Sequence, residues 1–238
     1  MCHATQAVSQ LPVPTMTTST LTFSVSLAAT AADLRDVCGV RAHAYGHHVP
    51  QMQETLAAPD ATDGLRGTAI LLCRDKATGA ATGTTRIQRN VALPLQLEGS
   101  VILPRWLADE PRAELTRLAV MPGADPQTRL MLMKAAYLYC LASQVRWMVI
   151  GARSNALIRI YQGLGFTDVL GPDDRVPLVH AGNLPHRILA FDVVAAERTW
   201  LASGHGLYPF MIETFHPDVH LFPRESMPPL HGEVRQAA

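Results

Sequence analysis

The sequence predicts an α/β fold, a central mixed, twisted sheet flanked by helices. Two observations carry this. The first half holds short apolar segments separated by glycine-bearing turns, which suits antiparallel strands. The second half reads strand–helix–strand–helix. At 238 residues the chain is long enough for one substantial core, and no linker-like stretch splits its middle. The expected division is a flexible segment over residues 1–20, one domain over 21–199 and a Pro/His-rich extension over 200–238.

Residues 21–27 (LTFSVSL) alternate as a first strand. Thr30 then caps a helix, with Asp33 at its third position. Val37, Arg41 and Tyr45 follow at four-residue spacing on one face, and an arginine among apolar neighbours needs a pairing partner. Residues 47–66 are polar, carry Asp60 and Asp63, and read as loop or short irregular helix. Residues 67–75 and 81–89 form a hairpin across the turn at 76–79, with Gly79 and Gly83 marking a turn and a bulge. A Leu/Pro-rich loop covers 90–104, and 106–109 make a helical turn.

Residues 114–120 are the next strand, ended by Met121-Pro122-Gly123. Asp125 caps a helix with Pro126 at its first position, and Leu130, Met133, Tyr137, Cys140 and Leu141 form its apolar stripe. Residues 145–150 fit a buried strand. Ser154 or Asn155 caps a helix that ends at Gly163 or Gly165. Residues 166–169 and 188–194 are strands, with loop between them (PDDRVP, HAGNLPH). Five prolines between positions 209 and 229 exclude a continuous helix or central strand, so the tail folds over the body or hangs free.

Twenty basic and twenty acidic side chains cancel, so no strong field points to nucleic acid or an anionic membrane. Cys2, Cys38, Cys73 and Cys140 form no CxxC pair and read as free thiols of a reducing cytoplasm. Residues 1–20 lack the basic start and apolar run of a leader, and no apolar span is long enough to cross a membrane. His47-His48 and the pair His216 and His220 lack a third ligand on a common face, so no metal is expected.

Residues 114–166 carry most of the chemistry. Strand, helix, strand and helix follow one another, and Tyr161 stands just before the step Gly165-Phe166. That order resembles the core of the GCN5-related N-acyltransferases. The resemblance implies the acyl-CoA N-acyltransferase (GNAT-like) fold and transfer of an acyl group from a thioester to an amine. Such a transfer needs donors for an oxyanion, an acid for the leaving thiolate and a route for the amine proton. Carried over, Tyr161 becomes the acid, and Ala119, Val120 and Met121 offer backbone groups from a bulged strand. Gln127, Thr128 and Arg129 at one helix start, and Asn155 at the next, face the phosphates of the donor. The plain alternatives are a Tyr161 ring that packs at a helix end and an Arg129 that is merely solvated. The helix opening at 125–131 lacks the glycines usual in the family, which tells against free coenzyme A as the natural donor.

The first half narrows the resemblance. Arg41 and Tyr45, Asp60 and Asp63, GTTR at 83–86 and ELTRLAV at 114–120 occur in that order. From about residue 34 to about residue 195 the chain is similar to the branch holding the N-acyl amino acid synthases and the acyl-homoserine lactone synthases. No tryptophan at 51–54 and a sparse acidic motif at 60–63 favour the amino acid synthases. This implies acyl-acyl carrier protein or acyl-CoA as co-substrate, nothing tightly bound, and a small-molecule amine as acceptor.

Glu114 then accepts the amine proton, and Arg86 or Arg117 binds an acceptor carboxylate as a planar fork. Arg41, beside Tyr45 on its helix, ties to Asp60 or Asp63 and holds the entrance shut. The plain alternative for all these charges is an internal ion-pair network. Glu114 and Arg117 face opposite sides of a regular strand, so only a bulge brings both to one site. The apolar stretch with Leu93, Leu95 and Trp106 lines an acyl channel or covers a sheet. Arg129, Lys134, Arg153 and Arg159 are candidates for a patch that docks acyl carrier protein. Two readings stay open beside this one: a coenzyme A-dependent short-chain acetyltransferase, and a non-catalytic acyl-binding protein on the same scaffold.

Overall fold

The computed structural model describes residues 16–46 and 49–222. Most of the segment expected to be flexible, together with Cys2, His47, His48 and the prolines at 223, 228 and 229, lies outside the described residues. In chain order the strands are β1 (Thr17–Thr18), β2 (Phe23–Leu27), β3 (Thr68–Asp75), β4 (Ala81–Arg89), β5 (Arg112–Val120), β6 (Trp147–Ala152), β7 (Thr167–Asp168), β8 (Val176–Leu178), β9 (Leu184–Asp192), β10 (Thr214–Phe215) and β11 (Val219–His220). The helices are α1 (Ala31–Gly46), α2 (Gln53–Leu56), α3 (Arg105–Ala108), α4 (Thr128–Ala142), α5 (Asn155–Gly163) and α6 (Ala196–Ser203).

The main sheet has the order β11-β2-β3-β4-β5-β6-β9-β7, with β8 paired to β9. Strands β2 to β5 are antiparallel neighbours, β5 and β6 are parallel, and β9 returns antiparallel to β6. The sheet is mixed and helix-flanked, as its two sequence halves predict. The consecutive parallel pair β5–β6 needs a crossover, and α4 supplies it.

Local chemistry sets the boundaries. Thr30 and Asp33 close a reciprocal capping box on α1, each side chain accepting from the other's backbone N–H at 3.1 Å. The β3–β4 turn closes where Gly79 N–H donates to Asp75 O at 2.8 Å, with Gly79 in the left-handed region (φ 73°). Gly83 sits beside the β3–β4 register shift, and α4 packs onto it. A Cβ there would stand 2.7 Å from Thr128 Cγ2. That closeness seats Met131, Leu132, Ala135, Ala136 and Cys140 of α4 in the core.

β5 carries the irregularity that matters. Its register with β4 shifts by one residue between Thr84↔Ala119 and Arg86↔Thr116, and Arg117 takes φ 57°. Its ladder with β6 stops at Leu115↔Ile150. Beyond that point the two strands splay, and the β6-facing backbone groups of residues 116–120 have no ladder partner on that side.

Three expectations need correction. The stretch 170–187 is not loop throughout: β8 and the start of β9 form a hairpin with the register Val176↔His186 and Leu178↔Leu184. Its tip is a 3-10 turn, Val179–Ala181, followed by left-handed Gly182 and Asn183. Second, α4 starts at Thr128 rather than at Pro126. Asp125 uses one carboxylate oxygen on Gln127 N–H and the other on the Thr22 hydroxyl, so it tethers a turn before the helix. Third, the boundary placed at 199/200 falls inside α6, and the segment after it joins the same core. Trp200 packs on Tyr137 and Phe191 and donates from Nε1 to Leu164 O, while Met211 and Leu221 are buried in the same cluster. Each aromatic pair adds about 0.5–1.5 kcal/mol beyond its buried area.

Candidate active site

The splay between β5 and β6 opens a cavity of about 530 Å³. One wall is β5 itself, from Glu114 to Val120. Ile150, Gly151 and Arg153 from the end of β6, with Ser154, Leu157 and Tyr161 of the following turn and α5, make the opposite wall. Tyr45, Val49 and Met52, with Leu178, His180, Leu184 and His186 of the β8–β9 hairpin, complete the lining.

Beside β5 lies a buried charge network. Arg86 is fully buried, and its Nη1 donates to Asp60 at 2.6 and 2.8 Å and to Asp63 at 3.1 Å. Its Nη2 donates to Gln96 Oε1 and its Nε to Thr116 Oγ1. Arg41 holds Asp63 through Nη1 at 2.8 and 3.0 Å. Burial pushes the Asp60 carboxyl up, but the hydrogen bonds and charge of Arg86 outweigh it and leave the group below its ordinary range. Asp60 also caps the 3-10 turn Ala61–Gly64. This matches the ion-pair alternative for Arg41, Asp60, Asp63 and Arg86, none of which reaches the cavity wall.

Arg117 differs. It lines the cavity, and its side chain is nearly buried, yet its contacts are loose: Nη2 to His180 O at 3.4 Å and to Asp60 Oδ2 at 3.6 Å. Its Nε has no partner among the described residues. Burial first, and then the charge of Arg86, push its pKa down. Three guanidiniums thus share two carboxylates, and the surplus positive charge stands at the cavity. The β5 bulge brings Arg117 and Glu114 to the same wall despite their three-residue spacing. Tyr45 lies within reach of this field: burial raises its hydroxyl pKa and Arg117 opposes the rise.

Glu114 is almost completely buried. Its Oε2 accepts from Leu97 N–H at 3.0 Å, and its Oε1 lies 3.1 Å from His180 Nε2. Tyr161 is buried against Phe166, its pKa pushed up strongly by burial, so its hydroxyl stays protonated across the ordinary pH range. The hydroxyl has no hydrogen-bond partner among the described residues. Ser154 caps α5 by accepting from Leu157 N–H.

Of the residues expected at the site, Tyr45, Glu114, Arg117, Ala119, Val120, Arg129 and Tyr161 line the one cavity. Met121, Gln127, Thr128 and Asn155 do not. Met121 N–H donates to Thr82 O, Thr128 is buried at the start of α4 against Gly83, and Asn155 Oδ1 accepts from Arg175. The residues expected to line an acyl channel cover the sheet instead. Leu95 packs with Leu97, Leu107, Val149 and Ile188, while Leu93 and Trp106 are half exposed. Lys134 belongs to no surface patch: it is buried, with Nζ donating to Phe210 O and Thr214 O at 2.5 and 2.6 Å.

Sequence reasoning missed His180, His186 and the apolar wall of Val49, Met52, Leu178 and Leu184. A signal for the hairpin existed. Gly182 falls in a five-residue connection between the short apolar runs of β8 and β9, and a glycine-bearing link of that length is a hairpin signal.

The fold is the acyl-CoA N-acyltransferase (GNAT-like) architecture, with a cleft between splayed parallel strands. Among solved structures, the chain is similar to the N-acyl amino acid synthase FeeM from uncultured soil microbes. The TM-score is 0.58 at 16% identity, over 79% of this chain and 98% of that one. It is also similar to the CoA-dependent acyl-homoserine lactone synthase BjaI, whose structure holds SAM and isopentyl-CoA. There the TM-score is 0.51 at 16% identity, over 82% and 93% of the two chains. At this identity the likeness is one of fold. No protein-family model matches the chain, and no curated protein matches it in sequence.

Proposed function

We propose that this protein transfers an acyl group from a thioester, acyl-acyl carrier protein or acyl-CoA, to the amine of a small molecule that also bears a carboxylate. The observation that carries the proposal is the cavity wall itself. A protonated, unpartnered tyrosine (Tyr161) stands on one side and an under-partnered guanidinium (Arg117) on the other, along a splayed strand. FeeM, named as an N-acyl amino acid synthase, has the same fold.

In this mechanism the acceptor carboxylate meets Arg117 as a planar pair. The amine attacks the thioester carbonyl, the backbone of β5 beyond Leu115 faces the oxyanion, the C–N bond forms and the C–S bond breaks. The leaving sulfur takes the Tyr161 proton, and the amine proton departs toward Glu114. The acyl chain lies on the apolar wall that includes Val49, Met52, Leu178 and Leu184. Arg129 and Arg153, beside the starts of α4 and α5, face the phosphate of the donor.

The test is to incubate the purified protein with acyl-CoA and acyl-acyl carrier protein of graded chain length and a panel of amino acids, with mass spectrometry for amides. An N-acyl amino acid supports the reading and names donor and acceptor together. Amide formed only from acetyl-CoA, on amines lacking a carboxylate, overturns the acceptor assignment. No amide from any pair overturns the whole.

A further inference from the structure

The amine proton has a more specific destination than Glu114. Both carboxylate oxygens of Glu114 are engaged, one by Leu97 N–H and one by the imidazole of His180, and the residue is 1% exposed. Both residues line the cavity, but the His180 side chain is 13% exposed and that of Glu114 is 1% exposed, so an incoming amine meets the imidazole first. We propose that His180 is the group that takes the amine proton and that Glu114 is a positioning residue acting through it. This inference rests on the acyl-transfer reading and deepens it.

Three features support the assignment. First, a carboxylate only accepts, so the neighbouring imidazole favours a proton on Nε2, and the lone pair then sits on Nδ1. Second, Nδ1 has no partner among the described residues and is closed from solvent. A buried polar atom left unpartnered costs about 1–3 kcal/mol and invites a functional explanation. Third, the ring is mounted on a turn of three residues. One end is tied by Val179 N–H to Ser100 Oγ at 3.0 Å, and the other rests on left-handed Gly182 and Asn183. Proton transfer requires this turn to move on substrate binding, so that Nδ1 is uncovered to the amine, directly or through one water.

The step balances. The amine lone pair forms the C–N bond, its proton passes to Nδ1, and the imidazolium is held against the Glu114 carboxylate. The C–S electron pair leaves with sulfur and takes the Tyr161 proton. The tyrosinate recovers a proton from solvent, and the imidazolium releases one when product leaves.

The experiment compares wild type, His180→Gln and Glu114→Gln, with kcat and KM measured against pH and folding checked by urea titration. His180→Gln should lower kcat by about 10²–10⁴-fold with little change in donor KM, and abolish the low-pH limb of the profile. Glu114→Gln should lower kcat less and keep a displaced limb. A His180→Gln protein within threefold of wild type, or a limb lost only in Glu114→Gln, overturns the proposal while leaving acyl transfer intact. A wild type inactive on the whole panel overturns both. Should His180→Gln fail to fold, the ¹⁵N imidazole spectrum of wild type decides: a proton on Nε2 supports the assignment and a proton on Nδ1 overturns it.

Discussion

Replacing Arg117 by glycine should separate the stability of the fold from the chemistry of the site. Arg117 sits at φ 57°, where a side chain costs about 1–2 kcal/mol and glycine does not. What the side chain returns is small: a 3.4 Å contact to a carbonyl and a 3.6 Å contact to Asp60. Such loose contacts are worth at most about 1 kcal/mol. The added chain entropy of glycine takes back about 0.5–1 kcal/mol. The sum predicts a urea stability within about 1 kcal/mol of wild type. It also leaves Arg41 and Arg86 balanced against Asp60 and Asp63 and removes the guanidinium from the cavity wall. The acceptor carboxylate then loses a charge-assisted pair worth about 1.5–3 kcal/mol, or roughly 10- to 150-fold in acceptor KM. The assay is acceptor KM for an amino acid and for its decarboxylated amine, beside a urea titration. Equal KM values for Arg117→Gly and wild type, with stability lowered by more than about 2 kcal/mol, would show that Arg117 holds the fold and not the substrate.

Arg86→Met should destabilise by about 3–5 kcal/mol, because Asp60 and Asp63 lose the cation that joins them in a buried place; a urea midpoint near that of wild type would refute it. Tyr161→Phe should leave stability within about 1 kcal/mol, since the hydroxyl is unpartnered, while kcat falls by about 10²–10⁴-fold; full activity in this variant would remove Tyr161 from the mechanism. Lys134 has its pKa lowered by burial from 10.5 to about 8. Between those values the unfolded chain binds the extra proton, so folding stability should rise with pH across that window. Urea midpoints at pH 7.5 and pH 10 test this, and an equal rise in Lys134→Met would assign it to another group.

Much of the fold was legible because it rests on local signals. The capping pair Thr30 and Asp33 and the hairpin across Gly79 are written in consecutive residues, and both stand where the pattern puts them. The start of α4 was misplaced because Asp125 divides its carboxylate between Gln127 and Thr22, about a hundred residues upstream. The β8–β9 hairpin was hidden by Pro177 and Pro185, which face each other in its register and read as loop residues. The charges of the site could be named but not paired. That Arg86 is consumed by Asp60, Asp63, Gln96 and Thr116 while Arg117 is not depends on a one-residue slip between β4 and β5. An apolar run such as 93–106 looks the same whether it lines a tunnel or roofs a sheet, and here it roofs the sheet.

The two-residue strands at the rims of the sheet have a colloidal meaning. β11 pairs with β2 through Val219↔Val25 and His220↔Ser26, and Asp218 knots it there by accepting from Leu21 N–H and meeting Lys76 Nζ at 2.7 Å. At the other rim stands β7, also two residues long. A strand that short is a poor template for a neighbouring chain, so the sheet is finished at both ends. Among the described residues, crowded copies of this protein therefore find only short rim strands on which to start a fibre.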